Sequence, residues 1–272
     1  VTIAEYDRAM LSVASILQDL DRDDAPQIWK RTAWATPRDR RLIDRLSDLP
    51  RLRTHVRQAG EKSTSKPWLI AEGFQPLGEN DPVSSQRFVD LPSNLFVPAR
   101  SENLNLFLLP DDCQQLDSST VITRRQIKDT GIFESPHVLV SQGFGRVAYA
   151  DFPVAFRHAL RGISGPTQDR NILIFLAAYL RSPIAQYFLF HTSTNWGVSR
   201  KKVHVEELLR LPFPLPLDCV DPQRAGEIIE QVAEKVLSAA NAAQTEWSHR
   251  EGIVKEAQTN VEPLMLEYFD IL

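Results

Sequence analysis

Leu211-Pro-Phe-Pro-Leu-Pro216 places the hardest constraint on this chain. Prolines at every second position remove backbone donors and push each preceding residue out of the α region. The stretch is neither helix nor central strand and reads as an extended, polyproline-like ramp. What precedes it is equally particular. His191-Thr-Ser-Thr-Asn195 leads through Trp196-Gly197 to Ser199-Arg-Lys-Lys202 and His204, so that small hydrogen-bonding side chains pass into a basic triplet. Val205 to Leu209 then reads as a short helix. A polar loop, a basic triplet and a stiff ramp therefore follow one another directly.

The net charge of −4 argues against a surface that is cationic throughout. Its distribution matters more. Residues 141–215 hold nine basic and four acidic side chains, a local +5, whereas residues 216–272 hold four and eleven, a local −7. A basic middle and an acidic tail suggest a basic working surface with acidic helices elsewhere. With 272 residues, 43% hydrophobic and 24% charged, the chain has the means to build a real core. The longest strongly apolar run, Ile172 to Leu180, is far short of a membrane span, and Glu5 and Asp7 stand where an export signal carries positive charge. The expectation is a cytoplasmic protein without a membrane partner. Cys113 and Cys219 match no metal-ligand spacing, and the six histidines are scattered.

Along the chain, Ile3, Tyr6, Met10, Val13, Leu17 and Leu20 form one helical stripe. Thr36, Pro37 and Asp39 mark the start of a second helix by cap, first position and capping box. Pro50 stops it, and a further turn or two is expected from Leu52 to Arg57. Short strands are expected at Trp68–Ile70, Leu95–Val97, Leu104–Leu109, Val121–Ile122 and Val138–Val140, the last paired with 146–150 across Gln142-Gly-Phe-Gly145. Helices return at Asp169, at Ser182-Pro183, and at Asp221-Pro222. A final helical run from Ile253 to Phe269 is expected to break near Pro263. These elements predict an α+β fold, an irregular mixed or antiparallel sheet body flanked by N- and C-terminal helices. The expected organisation is a helical lead-in over 1–60, a recognition body over 61–216 and a helical tail over 217–272.

Gly143-Phe-Gly145-Arg-Val-Ala148 fits the pattern GxGxxA, which cradles a dinucleotide only where a strand turns into a helix. Val147, Tyr149 and Phe152 favour strand, so a bulged hairpin is expected instead. His191 and His204 flank the basic loop without a convincing acid partner. Lys and Arg contact phosphates, whereas Asn, Ser and Arg can also read base edges.

Leu176-Ala-Ala-Tyr-Leu-Arg-Ser-Pro183, Tyr187-Phe-Leu-Phe-His-Thr-Ser193, Trp196-Gly197, Arg200 and Leu208-Leu-Arg-Leu-Pro-Phe-Pro214 resemble the target recognition region of bacterial N6-adenine DNA methylases. That region follows the methylase domain in restriction-modification and related phage-defence enzymes, and is similar to the specificity domains of type I systems. The segment from Trp29 through Pro37 to Leu46 also resembles one seen in this group. Together these cover roughly residues 28–48 and 136–216. The resemblance departs at one point. The family's Asn/Asp-Pro-Pro-Tyr/Phe motif and its glycine-rich loop for S-adenosylmethionine are missing, and Asp151-Phe-Pro153 lacks the second proline and the stacking aromatic.

The resemblance implies sequence-specific recognition of duplex DNA by a specificity part. S-adenosylmethionine and the transfer chemistry would belong to a methylase domain outside this sequence, and the start at Val1 agrees with a piece cut from a longer protein. No cofactor is expected in this chain, and no catalytic residue. Arg200, Lys201, Lys202, Arg146, Arg157 and Arg161 are the expected phosphate anchors. Asn195, Ser199, Gln142 and again Arg200 are the expected base readers. Two alternatives stand beside it. The acidic helices after Asp221 could dock a partner subunit, or His158, His191 or His204 could belong to an atypical enzyme site.

Overall fold

The computed structural model describes residue 17 and residues 27–62, 65–194, 196–197 and 202–271. The stripe from Ile3 to Leu20 lies outside them, Leu17 excepted. Helix α1 (Gln27–Trp34) is an element the sequence reading had not marked. Helix α2 (Pro37–Ser47) starts as its residues dictate. Thr36 Oγ1 accepts from Asp39 N at 3.3 Å, and Thr36 N donates to Asp39 Oδ2 at 2.8 Å. The helix buries Ile43 and Leu46. A single 3-10 turn, Leu52–Thr54, follows, and the chain then becomes strand β1 (Val56–Gln58) where more helix was expected. The β-branched Val56 lies parallel to Trp68 in a sheet, and that pairing outweighs the local helical pattern.

The strands are β2 (Trp68–Glu72), β3 (Arg87–Asp90), β4 (Leu95–Val97), β5 (Asn105–Phe107), β6 (Gln114–Gln115), β7 (Thr120–Thr123), β8 (His137–Ser141), β9 (Val147–Ala150), β10 (Ala155–Phe156) and β11 (Leu160–Ser164). Six form the main sheet in the order β1-β2-β11-β8-β9-β5. Its inner pairings are antiparallel, and the two outermost pairs are parallel. A small sheet β10-β4-β6 and a ribbon β3-β7 complete the body.

The main sheet is buried on both faces. Trp68, Ile70, Val138, Val140, Val147 and Tyr149 face a core shared with the helices. Their strand neighbours Leu69, Leu139, Ala148 and Ala150 face a second core built with β4 and β10. This two-sided burial is why β8 reads as an unbroken apolar run and not as an alternation.

Helix α3 (Arg170–Arg181) lies on the first face with eight consecutive buried residues, Leu173 to Leu180. The Trp68 indole donates to Asp169 Oδ2 at 2.8 Å and ties its start to β2. Ser182 caps helix α4 (Pro183–Thr192) by accepting from Ala185 N. The short helix α5 (Val205–Leu209) precedes the proline ramp, which is free of helix from Leu211 to Leu215 and passes into a 3-10 turn at Pro216–Asp218. Asp221 caps α6 (Pro222–Thr245), which packs along α7 (Arg250–Tyr268). Helix α7 is continuous through Pro263, contrary to the expected break. Both Pro263 and Thr259 are exposed, so the Thr259 carbonyl that loses its donor is left to water.

Arg250 anchors the tail to the body. Its guanidinium lies 2.8 Å from Asp112 Oδ2, donates to the Phe107 carbonyl and sits over the Phe107 ring. The helix-side core runs without interruption from Ala35 to Phe269 and draws on lead-in, body and tail alike. No single described helix is long and apolar enough to cross a membrane.

Candidate nucleic-acid interface

The described members of the expected site, Gln142, Arg146, Arg157, Arg161 and Lys202, fall at one end of the main sheet. Strands β2 and β8 end there, and β11 and β9 begin there. From this end protrude the hairpin 142–146, the turn 157–159 and the segment that follows α4. The hairpin joins β8 to β9, so the GxGxxA pattern lies between two strands, as expected. The left-handed residue in it is Phe144 (φ 59°), not a glycine. Phe144 is buried against Trp196 with ring planes at 87°.

The segment after α4 is gripped at both ends by one side chain. Glu207 is 6% exposed, and its two oxygens accept separately from Thr194 N and His204 N, each at 2.7 Å. Val203 N donates to Gln142 O at 2.8 Å, and Arg161 Nη1 donates to Val203 O at 2.6 Å. The Trp196 indole donates to Gly143 O at 3.2 Å. Lys30, from α1, donates to the carbonyls of Phe190 and Trp196 and to Ser193 Oγ. Gly197 holds φ +81°, and a Cβ there would stand 2.8 Å from the Phe190 ring, so this corner needs glycine. Burial lowers the pKa of both the Lys30 ammonium and the Arg161 guanidinium, while Glu207 opposes that shift for both. The loop is thus seated on two buried cations and one buried carboxylate.

This placement corrects one expectation. Arg161 is 2% exposed and is committed to Val203 O, with Glu72 at 3.7 Å. It is an internal strut under the loop and not a phosphate anchor. The other described residues are at least partly exposed. Arg157 is exposed and lies over the Phe96 ring, 5.4 Å from its centroid. Gln142 is half-buried and donates to His158 O at 2.8 Å and to Glu72 Oε1 at 3.4 Å. Arg146 is half-buried and donates to Ala99 O at 3.4 Å. Lys202 is exposed. Asn195, Ser199, Arg200 and Lys201 lie outside the described residues.

The histidines divide. His191 is 4% exposed, and its Nδ1 finds no hydrogen-bond partner. Burial lowers its pKa, against the nearby Asp39. Asp39 itself accepts from Tyr187 and Thr36. Burial alone would raise its pKa, but those hydrogen bonds outweigh burial and leave it lowered. His158 and His204 are exposed. No group of three or more His, Cys, Asp or Glu among the described residues is arranged to hold a metal.

Sequence reasoning missed Lys30 and Glu207. Each is a charged residue on a helix, and nothing local distinguishes it from a solvated one. The only available signal was the position of Glu207 three residues after His204, a capping spacing that the structure realises.

No protein-family model matches this chain. No curated protein matches it either. Among solved structures that match is the HsdS subunit from Thermoanaerobacter tengcongensis, at 13% identity and a TM-score of 0.29. The match covers 94% of this chain and 56% of that one, so this chain spans little more than half of that subunit's length. A TM-score of that size establishes no shared fold.

Proposed function

We propose that this chain recognises duplex DNA as the specificity part of a protein that methylates adenine N6 in a restriction-modification or related system. One observation carries the reading. The segment bearing the basic triplet is closed at its base by the two-ended grip of Glu207 and is seated on the rigid end of a sheet. Base reading needs that kind of support, because a reader held loosely loses its geometry. The resemblance of residues 28–48 and 136–216 to methylase target recognition regions supports the same reading.

The work divides in two. Lys202 and Arg157, with Arg200, Lys201 and Arg146, contact phosphates and set position. Asn195, Ser199, Gln142 and Arg200 test base edges in the major groove. The Gln142 N–H₂ is already given to His158 O and Glu72, so it must release one of them to donate to a base, whereas its oxygen can accept from one directly. Methyl transfer from S-adenosylmethionine falls to a methylase domain of the same parent protein, which is the second partner. The transfer requires the target adenine turned out of the duplex.

The test is binding of random-sequence duplex DNA across a salt series. Affinity is expected to fall steeply with salt, and the slope to flatten when Arg200, Lys201 and Lys202 are replaced by Ala. Selection from the random pool then gives the site. Binding that ignores salt and the triple replacement overturns the reading. Capture of a partner subunit without DNA binding moves it to an interaction module acting through the acidic helices.

A further inference from the structure

We infer that a groove beside the loop, walled by Arg125 and Lys128, is a second contact for the phosphate backbone of the same duplex. The inference rests on the DNA-recognition reading. It places the contact on a segment, 124–128, to which the basic-loop argument assigns nothing.

The groove, about 360 Å³, lies between the exit of β2 and the segment that follows β7. Glu72, Gln75, Arg125, Lys128, His158 and Val205 border it. It is continuous with the loop base. Gln142 donates to Glu72 and to His158 O, its own carbonyl takes Val203 N, and Val205 begins the helix whose Glu207 closes the loop. A strand of DNA held at the loop therefore has this groove as its neighbour.

The cationic wall is held by two backbone contacts and one side-chain contact. Arg124 N donates to Gln75 O at 2.9 Å, Leu77 N to Ile122 O at 3.4 Å, and Thr123 Oγ1 to Arg125 O at 2.8 Å. Lys128 is laid in place by its stem. Gly60 turns the chain after β1 with φ +89°, and the Lys128 Cδ lies 3.1 Å from where a Cβ on Gly60 would stand. The outer part of the side chain runs past Gly60, and Lys128 remains exposed.

The charge balance favours an anion. Asp129, the nearest acid in sequence, is paired with Arg57 at 3.0 Å and accepts from Gly131 N. Glu72 is faced by Arg161 at 3.7 Å, and Arg124 is paired with Asp81 at 3.4 Å. Arg125 and Lys128 are exposed and make no ion pair among the described residues, and the exposed Arg157 precedes His158 in the groove's rim. The groove thus presents at least two uncompensated cations and a row of amides and backbone. That is the composition of a surface that follows a phosphate chain and contacts sugars without reading bases.

The experiment compares four forms of the full chain on one fluorescent random-sequence duplex over a salt series. They are the wild type, R125A/K128A, the triple alanine variant at 200–202, and K235A/K255A, which removes the same charge from exposed sites on the tail helices. Each phosphate contact contributes about 0.9 to the slope of log K against log salt, so R125A/K128A is expected to lower the slope by about 1.8. Affinity near 0.1 M salt is expected to drop between about ten- and a hundred-fold. K235A/K255A is expected to change neither. If R125A/K128A matches the wild type while the triple variant weakens, the groove contact is overturned and the recognition reading stands. If R125A/K128A and K235A/K255A fall equally, the effect is one of net charge, and the groove is again overturned. If the wild type binds no duplex at the lowest salt, both readings fall together.

Discussion

Replacing Glu207 by Gln tests the claim that one carboxylate closes the recognition loop. The change keeps shape and removes charge. In the native structure each oxygen accepts one backbone N–H at 2.7 Å, from Thr194 and from His204. A glutamine can present an acceptor to only one of them and turns its amide N–H₂ against the other. A hydrogen bond to a charged group contributes roughly 1.5–3 kcal/mol net, so the loss of one sets the expected destabilisation at about 2 kcal/mol. Withdrawal of the negative charge from buried Lys30 and Arg161 acts in the same direction. The assay is urea unfolding followed by fluorescence, with DNA binding measured well below the midpoint. The midpoint is expected to fall with the denaturant slope unchanged, because the same surface is exposed on unfolding. Specific affinity is expected to fall further than affinity for random duplex, since phosphate contacts survive a loosened loop better than base contacts do. A Glu207→Gln protein within about 0.5 kcal/mol of wild type, the ordinary scatter of surface changes, would refute the grip.

The remaining predictions concern stability. Burial lowers the pKa of His137 from 6.5 to about 4, against its hydrogen bond to Ile132 O. The folded state then resists a proton that the unfolded chain accepts, so its stabilisation is complete above pH 6.5 and is lost as pH falls through 6.5 toward 4. At 1.36 kcal/mol per unit this amounts to about 2 kcal/mol by pH 5 and about 3 kcal/mol by pH 4. Urea midpoints at pH 7.5 and 5.0 should show it, and His137→Gln should flatten the dependence. Asp112→Ala leaves the guanidinium of Arg250, whose side chain is 9% exposed, without its carboxylate. Breaking a buried pair from one side costs about 3–5 kcal/mol. Thermal unfolding is expected at a clearly lower midpoint, and early proteolysis within α7 would show that the tail detaches first.

Local signals read well wherever a short-range interaction decided the structure. Thr36-Pro37-Asp39, Ser182-Pro183 and Asp221-Pro222 each carry a cap and a fixed φ within three residues, and each starts a helix where expected. The ramp is free of helix from Leu211 to Leu215 because its prolines permit little else. Helix α1 and the unbroken run of α7 through Pro263 are local misses, and the others are long-range. Strand β11 is central to the main sheet, yet Leu160-Arg-Gly-Ile-Ser164 shows neither alternation nor an apolar run. It is a strand because β2 and β8 flank it, and Arg161 fits inside only because Val203 O and Glu72 meet it there. Strand β1 depends likewise on Trp68-Leu-Ile70. Arg125 and Lys128 were hidden by averaging. They sit in a stretch, 61–140, with seven basic and eleven acidic side chains, and only folding shows that the neighbouring acids are already paired. Basic residues near 200 stand out in the sequence because they are contiguous, whereas Arg161, from the same basic region, proves buried because charge in a sequence carries no depth.

The grip of Glu207 also bears on how such a chain can change. The two ends of the segment between Thr194 and His204 are fixed to each other by a residue that lies beyond the segment. The scaffold therefore asks for particular residues only where the segment is seated, at Trp196, Gly197 and Val203. Doubling the number of residues there adds only about 0.6 kcal/mol of closure entropy, less than one hydrogen bond to a charged group. The stretch 198–202 can be lengthened, shortened or exchanged like a cartridge while Lys30, Trp196, Gly197, Arg161 and Glu207 keep the socket. New specificities are then reachable by editing a few consecutive codons without rebuilding a core.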